Sequence, residues 1–310
     1  MSMLRYMNPF TTDHIPSVLL TGNGLHRAFN NEDWDCLLKE LSANQFTEDE
    51  WEAINKLPYP QRAIIATNNS VLEGMKSVSD RFIQASIFPG ESELVHCAVR
   101  AGFETILTTN YSYEIEKALC PEFHVSSGKA SRYRKKTCSN KPRTETDTLY
   151  QYMLLPVSSD SDGSSRVDEI SIWHIHGEAA RPGTMIIGHY YYGRVLSVVR
   201  TYIKETIKRY KYTERRGELF YPRSWVDYIL FGNVYIIGQG MDQSEMDLWW
   251  LMDCKKLHGK GSVTLYKPGM PLEQIKLAEA CGVRVEKCDK PESYVRYYEE
   301  LFHYLAKSER

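Results

Sequence analysis

Six short apolar runs are spread along the chain, and each of the first four breaks off at glycine, asparagine or histidine. Val18-Leu19-Leu20 runs into Thr21-Gly22-Asn23-Gly24, and Ile106-Leu107 into Thr108-Thr109-Asn110-Tyr111. Ile170-Ser171-Ile172-Trp173 runs into His174-Ile175-His176-Gly177, and Val234-Tyr235-Ile236-Ile237 into Gly238. Val263–Tyr266 and Val283–Glu286 complete the series. Runs this short are too brief for helices and suit strands buried on both faces.

Helical spacing fills the intervals. Residues 32–100 are mostly helical in pattern: Trp34, Leu37, Leu38 and Leu41 repeat at helical spacing, as do Leu94, Val95 and Ala98, before Gly102. Ile115, Ala118 and Leu119 predict a helix after Asn110, residues 194–230 one or two more, and Ser293 to Lys307 a last one. Asp242 with Glu245 three residues later has the form of a capping box, opening a helix with Leu248, Trp249, Leu251 and Met252 inside. Residues 120–167 carry turn formers, a basic stretch (Arg132, Arg134, Lys135, Lys136, Lys141, Arg143) and the run Ser158 to Ser165, which predicts a flexible loop insertion. The expected fold is α/β: a Rossmann-like, mostly parallel sheet with helices on both faces, in one domain over 1–310, with a helical insertion at about 30–100 and the loop insertion at about 120–167. No internal repeat is found.

The chain has 310 residues, 42% apolar and 25% charged, enough for a buried core. A formal charge of −2 supplies no global field for nucleic acid or an anionic membrane, so direct nucleic-acid binding would need a local patch and is not expected. The start, Met1 to Tyr6, lacks the apolar core of a secretion signal, and no run nears the roughly 20 residues of a membrane span, so a cytoplasmic location is the expectation. Seven cysteines (36, 97, 120, 138, 254, 281, 288) are irregularly spaced without a Cys-x-x-Cys pair, which predicts reduced, mostly buried thiols and no metal site.

In an open parallel sheet, ligands bind at the carboxyl ends of strands. Gly22 and Gly24 would let the backbone approach a pyrophosphate, with Asn23 between them and Arg27 within reach of a phosphate. Asn110, with donor and acceptor groups, could hold a ribose hydroxyl or a water, or simply cap the next helix. A histidine titrates near neutrality, so His176 could accept a proton; His174 shares its strand face and is not excluded as the base, and either could instead be a hydrogen-bonded core histidine.

Asparagine in a Thr-Thr-Asn-Tyr context, His-Gly about 65 residues later and then a Gly-x-Gly loop together resemble the sirtuin-like family, most of all the bacterial sirtuin-like domains of antiphage defence. The resemblance covers the motifs and the sheet of residues 16–290. It implies a pocket that cleaves the nicotinamide–ribose bond of NAD, giving nicotinamide and ADP-ribose. Asn110 and His176 would be catalytic, and Gly22, Asn23, Gly24, Arg27, Thr109, Gly177, Gly238 and Gln239 would line the pocket for NAD as substrate. Protein-deacylating members carry a four-cysteine zinc module and an aspartate two residues after the asparagine; this chain has neither, with Ser112 at the second position. Water is then the more natural acceptor than an acyl-lysine.

Two other readings keep the same pocket: a non-catalytic NAD- or ADP-ribose-binding regulator, and an NAD-dependent deacylase or ADP-ribosyltransferase. The resemblance also implies control by homo-oligomerisation or by a partner such as a hexameric translocase-type ATPase or another defence protein. His189-Tyr190-Tyr191-Tyr192-Gly193-Arg194 could close over a ligand or pack at a contact, and Trp249 and Trp250 read mainly as packing residues.

Overall fold

The computed structural model describes residues 9–10, 14–30, 34–42, 45–68, 70–125, 136–137, 148–157 and 168–308. The chain runs β1 (Ser17–Thr21), α1 (Gly24–Arg27), α2 (Trp34–Leu41), α3 (Glu48–Ile54), α4 (Tyr59–Ala66), α5 (Val71–Gln84) and α6 (Glu91–Arg100). It continues β2 (Thr105–Thr108), α7 (Glu114–Leu119), β3 (Lys136–Thr137), β4 (Gln151–Val157) and β5 (Asp168–His174). A 3-10 turn at Pro182–Thr184 precedes α8 (Gly188–Arg216), α9 (Trp225–Phe231) and β6 (Asn233–Ile237). The last elements are α10 (Met246–His258), β7 (Val263–Tyr266), α11 (Leu272–Ala280), β8 (Arg284–Glu286) and α12 (Tyr294–Ser308).

The strands form one sheet in the order β3-β4-β5-β2-β1-β6-β7-β8. All pairings from β5 to β8 are parallel, while β4 runs antiparallel to β5 and β3 to β4. Apolar runs occur where both faces are covered, and the pleat sends alternate side chains to opposite sides. Leu19, Ile106, Ile170, Ile172 and Ile237 enter one core with side chains of α2–α7 and α12. Val18, Leu20, Leu107, Trp173, Val234 and Ile236 enter the other with α8–α11. The expected α/β architecture, helices on both faces and a helix-rich stretch between the first two strands, is what the chain adopts.

Three local expectations are corrected. The segment 120–167 is not all loop: Gln151–Val157 is a strand whose Tyr152, Met153, Leu154 and Leu155 are buried. Pro156 obscured it, yet proline is tolerated near the margin of a sheet, and the strand ends one residue later. The capping box at Asp242 does not form. Asp242 Oδ1 instead accepts from Ser244 N at 2.8 Å, and α10 begins after Glu245 with no side-chain cap. Of the described cysteines, only Cys97 and Cys120 are buried, and Cys36 and Cys288 are exposed. Cys138, the run 158–165 and all of the basic stretch except Lys136 lie outside the described residues. Among the described residues no helix is long and apolar enough to cross a membrane.

Candidate functional site

Strand order reverses beside β1: β2 and β5 lie on one side of it, β6 and β7 on the other. Such a switch point opens a crevice at the carboxyl ends of the strands. Four of the sequence segments end there, after β1, β2, β5 and β6.

The glycine turn serves the backbone first. Gly24 N–H donates to Gly238 O at 2.7 Å, and a Cβ on Gly24 would stand 2.4 Å from that oxygen, so the two glycines let β1 and β6 close together. Because α1 is a single turn and the Gly24 N–H is taken, this helix start has little dipole and one fewer free N–H to offer a phosphate. Asn23 precedes α1 without a side-chain cap bond, and Arg27 is exposed, within electrostatic reach of Tyr298 on α12. Gly177, at φ +92°, is likewise fixed by its own chain, since a Cβ would lie 2.2 Å from Thr184 O.

Gly22 carries the more direct link to the crevice. The Gln239 carboxamide lies on it, its Oε1 1.9 Å from where a Cβ would be. Thr109 Oγ1 donates to that oxygen at 3.3 Å, and Gln239 Nε2 donates to Glu245. Gly22, Thr109, Gln239 and Glu245 therefore meet around one point.

His176 stands beside them. The imidazole is buried, and its Nε2–H donates to Asp247 Oδ2 at 2.8 Å. Tyr192, near the start of α8, sets its ring edge-on to the imidazole with centroids 6.1 Å apart. Burial alone would depress the His176 pKa, but the charge and hydrogen bond of Asp247, with the charge of Glu245, outweigh it and raise the pKa above the usual value. Burial, with the neighbouring Asp247 and Asp242 charges, pushes Glu245 up to about 7 against the opposing pull of His176 and the Gln239 bond. Asp247 Oδ1 is buried and has no partner among the described residues.

The two histidines of the His-Ile-His segment have different roles. Both ring nitrogens of His174 are engaged: Nδ1–H donates to the Asn110 carbonyl at 2.7 Å, and Nε2 lies 2.7 Å from Glu116 Oε1. It is a strut that fixes the loop after β2. At His176, Nδ1 is bonded to nothing among the described residues, and with Nε2–H committed to Asp247 it keeps its lone pair. Asn110 and His176 each lie two residues past the register pair Thr108–His174, and the Asn110 carboxamide is half-buried with no hydrogen bond among the described residues. Replacing His174 by alanine strands the buried Glu116 and the Asn110 carbonyl. It is expected to cost about 2 kcal/mol of stability by thermal or denaturant unfolding.

The aromatic run divides. Tyr192 faces His176, whereas His189, Tyr190 and Tyr191 line a cleft of about 490 Å³ with Leu72, Glu73 and Lys76 of α5. Trp249 packs, its Nε1–H donating to Asp242 O at 2.9 Å. Sequence reasoning missed Glu245 and Asp247, because the helix-start reading absorbed the acids of Asp242–Asp247. The available signal was that these acids follow a strand-to-glycine junction. Among the described residues no group of histidine, cysteine and carboxylates is arranged to hold a metal ion. The chain matches no protein-family model, and no curated protein matches it.

Proposed function

We propose that the chain hydrolyses NAD, releasing nicotinamide and ADP-ribose. The observation that carries this reading is the buried His176–Asp247 pair just past the carboxyl end of β5, with the uncommitted Asn110 carboxamide just past that of the neighbouring β2. The carboxylates of Asp247 and Glu245 favour the cationic nicotinamide ring and the positive charge that develops on the ribose as its bond lengthens. Asn110 orients the water. Its oxygen bonds to the ribose C1′, the C1′–N bond breaks with its electron pair left on nicotinamide, and the water proton passes to His176 Nδ1. Asp247 holds the imidazole in the required tautomer, and its unpartnered Oδ1 can accept from a ribose hydroxyl. Gln239 must leave the face of Gly22 for the substrate backbone to approach there.

Liquid chromatography of nicotinamide released from NAD tests this directly. Binding of NAD without release would favour a regulatory subunit instead, and release that needs an added acyl-peptide would favour a transferase. By the resemblance, the setting is cytoplasmic antiphage defence by NAD depletion, controlled through self-association or a partner such as a translocase-type ATPase. Turnover followed while the assembly state is varied checks that extension.

The pH profile supplies a second test. A base must be unprotonated, and the His176 pKa is raised, so kcat/KM rises with pH and its acid limb lies above the ordinary histidine value of about 6.5. Glu245 titrates in the same window, so the limb belongs to the coupled group. Glu245→Gln removes a negative charge that favours imidazolium, and the limb moves to lower pH. An unchanged limb would exclude His176 as the titrating base.

A further inference from the structure

The surface of α8 raises a question that the pocket does not. This helix has 29 residues and is about 43 Å long. Its inner face is fixed in the core by Val199, Tyr202 and Ile203, and by a buried network in which Tyr202 Oη, Thr206 Oγ1 and Arg209 all donate to Asp227 of α9. The outer face carries Arg200, Lys204, Lys208, Lys211 and Arg215, all exposed. Spaced four, four, three and four residues apart, they fall within an arc of about 80° and form a straight line about 22 Å long. None of the five forms an ion pair or hydrogen bond among the described residues. The neighbouring cations are used locally: Arg209 on Asp227, Arg216 on Glu218 and Lys260 on Glu214. Two acids fall within residues 200–215: Glu205 sits to the side of the line, and Glu214 is paired with Lys260.

An array of five unpaired cations on one rigid face is held together against its own repulsion, in a chain whose formal charge is −2. It complements a linear polyanion. A protein partner fits it poorly, because the centres of protein interfaces are depleted in lysine and built on apolar or aromatic anchors, and this line has none at its centre. A membrane surface fits no better, since the apolar side of α8 is already spent in the core. A single strand is normally held by stacking on aromatic platforms; among the described residues the exposed tyrosines of α8 are Tyr190, ten residues before the line, and Tyr212 beside it. We infer that the outer face of α8 binds the phosphate backbone of duplex DNA, without sequence preference, through Arg200, Lys204, Lys208, Lys211 and Arg215. The binding is independent of what the pocket does. The line on α8 is the kind of local patch that a near-neutral chain would need for such binding.

Fluorescence anisotropy of a labelled 20-base-pair duplex with the full chain tests the inference across a salt series. Five phosphate contacts predict a slope of log affinity on log salt of about −4.5, so affinity falls about 500-fold between 50 and 200 mM salt. The charge reversal K204E/K208E/K211E is expected to lower affinity at least ~100-fold at 50 mM salt. The neutral variant K204Q/K208Q/K211Q keeps two contacts and flattens the slope to about −1.8. All three positions are exposed, so both variants should unfold with the wild-type thermal midpoint. No duplex binding at 50 mM salt would overturn the inference. Binding unchanged in both variants would overturn it too, as would capture of polyglutamate or anionic vesicles in place of duplex DNA.

Discussion

Asn110→Ala and His176→Ala are each expected to cut nicotinamide release from NAD by about 10²–10⁴-fold, the usual cost of losing a placed catalytic group. They should differ in stability. The Asn110 carboxamide has no hydrogen-bond partner among the described residues, so its removal breaks nothing in the fold. Deleting the His176 imidazole leaves Asp247 and Glu245 buried beside each other and takes away the hydrogen-bond donor of Asp247 Oδ2. At neutral pH that variant should therefore melt earlier than wild type. Adding Asp247→Asn to His176→Ala should recover part of the loss without recovering turnover. Initial rates of nicotinamide release, paired with thermal unfolding, separate the two effects. Full turnover in both single variants would remove the assignment.

Gly177→Ala is the second large effect, and it acts on the fold. At φ +92° a Cβ is strained wherever it points, and here it would stand 2.2 Å from Thr184 O and 2.6 Å from Met185 N. Backbone strain of about 1–3 kcal/mol adds to an overpacking cost of similar size, for a total of about 4 kcal/mol. At about 2–4 °C per kcal/mol, the thermal midpoint should fall by roughly 10 °C. The turn that follows holds Ile186 N–H on the His176 carbonyl at 2.9 Å, so the surviving folded fraction should also lose turnover. A variant with the wild-type midpoint would mean that the turn yields more easily than its contacts imply.

The sheet was legible because its strands are buried on both faces. Val18-Leu19-Leu20 and Val234 to Ile237 must be apolar at successive positions, and an uninterrupted run shows plainly in a sequence. By contrast β4 was hidden, since Pro156 suppresses the strand pattern and only tertiary pairing with β5 reveals its register. The site divided in the same way. Asn110 and His176 stood out because each closes an apolar run. Whether His174 or His176 was the candidate base depended on partners 58 and 71 residues away, Glu116 and Asp247, which no local pattern encodes. The glycines also have a role that the strand-end pattern does not display: Gly24 and Gly177 are required by the chain's own backbone, and Gly22 by the Gln239 carboxamide that lies on it. Glu245 illustrates the general difficulty, since the spacing that suggests a helix cap also puts a carboxylate beside an imidazole.

Helix α8 holds Tyr192 against the imidazole at one end and is pinned near its middle to Asp227. Tyr192 stands about 21 Å from the pin, so a tilt of about 5° would carry its ring on the order of 2 Å. Displacements of about 1 Å are enough to change catalytic rates by about 100-fold. The Asp227 network, with the core packing of Val199, Tyr202 and Ile203, therefore holds the ring position beside His176.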